Sequence, residues 1–327
     1  PGRNPRMQPR LYLGTIGLSL WYSDDLGESL GRYLSDSGLY SESRIWALNR
    51  HPAASDEILA GTDSGIYRLD RKAGRFTHIA SAMDSLCVWS IARSPHDPRV
   101  VLAGTRPAAL FRSEDGGGSW RCLDVAFPET CRAVLLPRVT QIAFDPEDPH
   151  LVLVGVEIGG VWRSRDGGKS FAEASAGMAS DDVHGLAVVR NGARTLFATT
   201  NKGLHLSRDD GASWTLQPLD SPWQYTRSIV PRADRSGVLF LTNGDGPPGS
   251  TGRLLRSRDH GAHWEEAGLP GEILSTPWCV ATDPADPSLL FVSTCLGQVF
   301  RSSDGGESWT KARRQLGETR ALLWAPN

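Results

Sequence analysis

Three arginines, Arg106, Arg227 and Arg320, are candidates to converge on an anion. A guanidinium fork matches a carboxylate or phosphate with two parallel hydrogen bonds. Glu157 and Asp63 are candidates for an acid/base pair of the kind that glycoside hydrolysis uses, and His184, preceded by Asp181 and Asp182, is a candidate general base. Trp46, Trp89 and Trp278 offer flat faces to a sugar ring or an aromatic group, with Asn201 and Tyr225 as polar contacts. Each has a structural alternative: arginines brace carboxylates, tryptophans pack between elements, and loop carboxylates are solvated. The eight histidines show neither HxH nor HExxH spacing, and the five cysteines show no CxxC. Neither a metal nor another cofactor is therefore expected. Cys295 has no activating motif beside it.

These residues are related by a repeat. The pattern S-x-D-x-G-x-x-W recurs at Ser113–Trp120, Ser207–Trp214, Ser257–Trp264 and Ser302–Trp309. Phe171 closes a further copy, Leu30 another, and an eroded seventh copy ending at Phe76 has Leu69, Arg71 and Ala73 for Ser, Asp and Gly. The period lies in the roughly 40–50-residue range of propeller blades. One carboxylate per copy falls well short of the 6–8 oxygens calcium takes. The motif therefore reads as a hairpin: Asp accepts backbone N–H groups, Ser adds a local bond, Gly permits positive φ, and the aromatic residue is buried between blades.

Each repeat reads as four short strands. An apolar strand leads to a Pro/Asp turn such as Asp283–Pro287, then a β-forming run such as Leu290–Thr294, a third strand and the hairpin. No helical pattern intervenes. Glu318–Trp324 reads as a first strand without a successor, and Leu11–Thr15 as a second strand without a predecessor. Pairing them completes a seventh blade. The expected fold is an all-β, seven-bladed propeller of four-stranded antiparallel blades, closed by the chain ends. Residues 1–10 are expected to be an N-terminal extension or an expression remnant, with Met7 as the natural start, and 11–327 a single propeller.

In propellers, ligands sit on the axis, framed by the start of each innermost strand and the loop after each second strand. Aligned on their turns, the innermost strands place Trp46, Trp89, Thr140, His184, Arg227, Trp278 and Arg320 at equivalent positions. The second-strand loops offer Ile16, Asp63, Arg106, Glu157, Asn201, Asp245 and Cys295. Two residues further along, Leu48, Ile91, Ile142, Leu186, Ile229, Val280 and Leu322 repeat one aliphatic type. Divergence confined to one ring is what an asymmetric pocket needs. The irregular segments Leu123–Arg138 and Asn243–Gly252 are candidates to cover it.

With 327 residues and a net charge of −2, the chain has no broad basic footprint for nucleic acid or an anionic membrane. No apolar run approaches the roughly 20 residues of a spanning helix. An odd, irregular set of cysteines without a signal-like segment leads to the expectation of reduced thiols and a cytoplasmic setting, with a Cys122–Cys131 disulfide as the alternative.

The repeats resemble the BNR or Asp-box family, which includes sialidases, sortilin-type receptors, two-propeller xyloglucanases and photosystem II assembly factors. D-P-x-D-P-x-x-L-x-V-G/S-T followed by V-F-R-S-x-D-G-G-x-S-W is most similar to the xyloglucanase and assembly-factor branch. A sialidase would also need an arginine triad, for which Arg106, Arg227 and Arg320 are available, and a Tyr–Glu pair, for which Tyr225 and Glu157 are. It would need Arg-Ile-Pro, which the sequence lacks, and six blades where seven are counted. The xyloglucanase resemblance implies two catalytic Asp residues facing each other across two propellers, and these repeats make one. The expected function is glycosyl hydrolase-like: binding, and hydrolysing or eliminating, a polar, anionic or sugar-like small molecule in the axial pocket. The alternative is a non-catalytic assembly scaffold with a protein partner, and a surface lectin ranks third.

Overall fold

The computed structural model describes residues 9–51, 56–131 and 135–326. Most of the expected N-terminal extension and part of the Leu123–Arg138 connection lie outside them. Seven four-stranded antiparallel sheets form a ring, so the molecule is a seven-bladed β-propeller. Counting from the composite blade as blade 1, the innermost strands of blades 2 to 7 are Ile45–Arg50, Cys87–Arg93, Arg138–Phe144, Val183–Asn191, Tyr225–Pro231 and Pro277–Ala281. The innermost strand of blade 1 is Thr319–Ala325, which pairs with Arg10–Thr15, Leu11 facing Trp324. Strands from opposite ends of the described chain thus share one sheet, and Arg10–Thr15 is not left as an open edge.

Blades hold together through apolar seams. Seven clusters of buried residues each draw on two adjacent blades, one per seam. The residue closing each repeat, Leu30, Phe76, Trp120, Phe171, Trp214, Trp264 or Trp309, packs in one of these clusters. Close approach also constrains the second strands. A Cβ on Gly104 would sit 2.3 Å from Cγ1 of Val139 in the next blade, so only glycine fits there.

The hairpins are self-contained polar units. In the last copy the Ser302 hydroxyl donates to Asp304 Oδ1 (2.7 Å) and accepts the Gly306 N–H (2.8 Å). Asp304 also accepts the backbone N–H groups of Glu307 and Ser308 and the Ser308 hydroxyl (2.5 Å). The same bonds recur around Asp115 and Asp166. Because the hairpin joins the third strand to the fourth, it lies on the face where the innermost strands end. Their first residues open onto the opposite face. The staples and the ring of divergent residues therefore occupy opposite ends of the propeller.

A bulged ring forms the candidate functional site

The backbone explains why one ring of residues faces the axis. In all seven blades the innermost strand shifts register against the second strand near its beginning. The residues skipped by the shift are Trp46, Trp89, Thr140, His184, Trp278 and Arg320, with Arg227 and Ser228 together in blade 6. A β-bulge frees a residue from the ladder and re-aims its side chain. Here it does so toward the axis, where these residues line a cavity of about 260 Å³. Leu48, Ile91, Ile142, Val280 and Leu322 form its aliphatic floor. Leu186 instead lines a second cavity of about 420 Å³ toward the far end of the strands. In blade 6 Ile229 lies in the apolar seam, and Val230 lines the floor.

The aromatic and cationic groups are stacked along the ring. Trp46 and Trp89 lie parallel, centroids 3.9 Å apart, and the Arg138 guanidinium carbon is 4.4 Å from the Trp89 ring centroid. Trp278 lies between Arg227 and Arg320, whose guanidinium carbons are each 4.2 Å from its centroid. Neighbours thus occupy the faces of Trp89 and Trp278, while among the described residues Trp46 has a ring stacked on it only from Trp89. Cation–π contacts of this kind stabilise by about 0.5–2 kcal/mol.

Two residues before each bulge, the pleat brings a second tier to the same side. Arg138 lies across the ladder from Glu157 and clasps its carboxylate with two N–H groups. Asp182 Oδ1 is 3.3 Å from His184 Nε2, while His184 Nδ1 lies 2.7 Å from the Thr226 carbonyl. Both ring nitrogens thus face protein acceptors, and the side chain is only 2% exposed. Burial raises the Asp182 carboxyl, but the His184 ring, Arg227 and Arg138 outweigh it and bring the group below its usual range. Glu318 pairs with Arg320. Tyr225 packs against His184 at 4.8 Å. Burial pushes its hydroxyl up to about 12, with Glu157 and Asp182 adding to the effect against Arg227 and Arg320.

Arg227 differs from its neighbours. It is 8% exposed, lines the cavity, and its side chain makes no hydrogen bond or ion pair with another described residue. A buried guanidinium in that state has donors to offer a ligand.

The expected site residues therefore divide. Trp46, Trp89, His184, Arg227, Trp278 and Arg320 come together on the cavity wall. Glu157, Asp63, Arg106, Asn201 and Tyr225 are not among its lining residues. Glu157 is engaged by Arg138, Asp63 accepts the Arg44 backbone N–H at 3.1 Å, and Asn201 accepts the Ser180 hydroxyl at 2.7 Å. Arg106 ends the second strand of blade 3, opposite Cys87. Arg138 and Glu318 do not stand out in the sequence, and Asp182 does so only as a neighbour of His184. The available signal was the strand period of two, counted back from the bulged ring. All five cysteines are free, so the alternative Cys122–Cys131 disulfide is not formed. Among the described residues no group of His, Cys, Asp and Glu side chains has the geometry to hold a metal, and no helix is long and apolar enough to cross a membrane.

No protein-family model matches the chain. A xyloglucanase of Paenibacillus sp is 26% identical over 268 residues, covering 68% of this chain and 26% of the relative. One from Hypocrea jecorina is 24% identical over 314 residues, covering 80% and 37%. The chain thus spans between a quarter and two fifths of the length of these relatives. Among solved structures, the Niastella koreensis GH74 enzyme aligns with a TM-score of 0.65 at 19% identity, over 82% of this chain and 45% of that one. YCF48 bound to D1 peptide aligns with a TM-score of 0.54 at 13% identity, over 83% and 81%. These structural likenesses concern the fold. The chain is a seven-bladed propeller with sequence similarity to xyloglucanases.

Proposed function

We propose that this glycosyl hydrolase-like propeller binds a small anionic molecule, such as a sugar acid, in its axial cavity, with Arg227 as the anchor. The observation that carries the reading is the buried, unpaired Arg227 guanidinium on the cavity wall. Its partner would be a carboxylate or similar anion held by two N–H groups, with the open face of Trp46 across the cavity and an aliphatic floor beneath. Arg320 is a weaker candidate because Glu318 already offsets its charge. The similarity to xyloglucanases favours a carbohydrate-like ligand.

Binding without turnover fits the wall better than hydrolysis. Glycoside hydrolysis uses two carboxyl groups about 5–10 Å apart across the scissile bond. No Asp or Glu is among the residues lining the cavity, and Glu157 is held by Arg138. A cytoplasmic setting, with the five thiols free, belongs to the same reading.

The test is calorimetric titration of sugar acids, small carboxylates and neutral oligosaccharides into wild type, Arg227→Ala and Arg227→Lys. Removing one partner of a buried charged contact costs about 2–3 kcal/mol, so affinity for the anionic ligand should fall roughly 30–150-fold in Arg227→Ala. Unchanged affinity in the folded variant would sink the proposal. Wild-type release of reducing sugar that disappears in Glu157→Gln would replace binding with catalysis.

A protein partner on the same face is the second reading. Leu18, Leu274 and Leu296 are exposed there on adjacent blades 1 and 7, and a structural neighbour was solved with a peptide. A partner that binds wild type and Arg227→Ala equally, but not Leu18→Ser/Leu274→Ser/Leu296→Ser, would establish it.

A further inference from the structure

The eroded repeat has a counterpart in the seams. Where the hairpin is intact, an arginine of the preceding blade often reaches its carbonyls: Arg112 donates to Gly167 and Gly168, Arg163 to Asp210, and Arg256 to Gly306. Each of these arginines directly precedes the motif's serine. In blade 1 that position is Tyr22, so the hairpin of blade 2 lacks this clasp. The same hairpin carries Arg71 where other copies have their aspartate. The arginine reaches back across the seam, Nε donating to the Tyr12 hydroxyl (2.8 Å) and Nη1 to the Pro326 carbonyl (3.0 Å). A charge reversal at one hairpin thus coincides with loss of the clasp at the same seam.

The result is a cavity of about 480 Å³ between blades 1 and 2, separate from the axial one. Arg10 and Arg32 line it from blade 1, and Arg71, Lys72 and Arg75 from the hairpin, against one lining carboxylate, Asp36. Asp24 offsets Arg10 (2.5 Å) and Asp56 offsets Lys72 (2.6 Å). Arg75 makes no hydrogen bond or ion pair with another described residue, and Arg32 Nε has no hydrogen-bond partner. Cations on two walls of one concavity suit a multiply charged, tetrahedral oxyanion, whose oxygens accept from several directions at once.

We propose that the seam between blades 1 and 2 binds a phosphate or sulfate group, either as the free oxyanion or carried on a small sugar ester. The site is independent of the axial cavity. Because Arg71 ties the hairpin to the closing strands, occupancy would stabilise the ring where it closes.

Thermal unfolding at fixed ionic strength, titrating sodium phosphate, sodium sulfate or a sugar phosphate against sodium chloride, tests this. Wild type should show a saturable rise in Tm of about 2–4 °C with an oxyanion and none with chloride. In Lys72→Ala/Arg75→Ala, whose altered side chains pack no core, the ligand-free Tm should hold and the oxyanion affinity should drop about tenfold. The rise should persist in Arg227→Ala, which separates this site from the axial reading. Saturation by inorganic phosphate identifies the free ion as a sufficient ligand, and saturation by the sugar phosphate alone identifies the ester. A rise that chloride reproduces, or that the double variant retains in full, overturns the proposal.

Discussion

Arg227 and Arg320 are not neighbours in the ring, yet each stands 4.2 Å from the same indole centroid, that of Trp278. The indole keeps two positive charges apart while attracting both. One of them is balanced by Glu318 and the other is left for the cavity.

Trp278 is therefore expected to be structural first. It is 4% exposed, and truncating a buried tryptophan costs about 3–5 kcal/mol. Trp278→Ala should lower urea-unfolding stability by that amount, and Trp278→Phe by roughly half. A loss below 1 kcal/mol in Trp278→Ala would mean that the indole is not a packing element.

The Arg138–Glu157 pair gives a cleaner separation of structure from chemistry. Removing one partner strands a nearly buried charge, at a cost of about 3–5 kcal/mol, while replacing both with apolar groups recovers most of it. A urea-denaturation cycle over Glu157→Ala, Arg138→Met and the double variant should show that non-additivity. Additive losses would point to a pair with no mutual role.

The ring residues were legible from sequence because the innermost strands can be aligned on the turns that follow them. They fix position 46 against 89, 140, 184, 227, 278 and 320, and the bulge that gives these positions their common direction repeats with them. What occupies each side chain was not legible. Glu157 read as a free acid because its partner, Arg138, lies across the ladder at the end of a long irregular connection. The sequence leaves each tryptophan open between a ligand platform and packing between blades, because stacking between consecutive blades depends on side-chain rotamers. His184 read as a base, yet a carbonyl contributed by the next blade takes one nitrogen and Asp182 faces the other.

Acid should loosen the hairpins first. The Ser308 hydroxyl and N–H hold the Asp304 carboxyl at about 2, and the His263 N–H likewise dominates in holding Asp259 at about 2. In Asp115 and Asp166 burial works the other way, but the bonds from Ser119 and Ser170 outweigh it and those groups are lowered too. A folded-state value below the unfolded one, about 3.9, means that the unfolded chain takes up protons first as pH falls. The contribution is complete above about pH 4 and drains away toward pH 2. Tm measured across that window should fall steeply, and Asp304→Asn should make the fall shallower. A wild-type Tm that is flat between pH 4 and 2 would contradict this.

Thiol reactivity should follow burial. Burial pushes the Cys279 thiol up to about 11, against the lowering effect of Ser293, Arg227 and Arg320, and it raises Cys295 as well. The thiolate is the species that alkylates. Iodoacetamide at pH 8 should label exposed Cys122 in the native protein, label half-buried Cys279 on the cavity wall far more slowly, and reach buried Cys295 only in urea, as read by peptide mass spectrometry. Native labelling of Cys295 as fast as Cys122 would contradict this.

The pairing of Leu11 with Trp324 also sets the order of events during synthesis. The strand Arg10–Thr15 is synthesised before its innermost neighbour, which is translated only after all the intervening blades. Throughout that interval the nascent ring has a gap, with an unpaired backbone edge and the apolar faces of Leu11 and Leu13 uncovered on either side of it. Arg10–Thr15 is where a chaperone has most reason to wait, and the arrival of Thr319–Ala325 decides whether the blades become a ring.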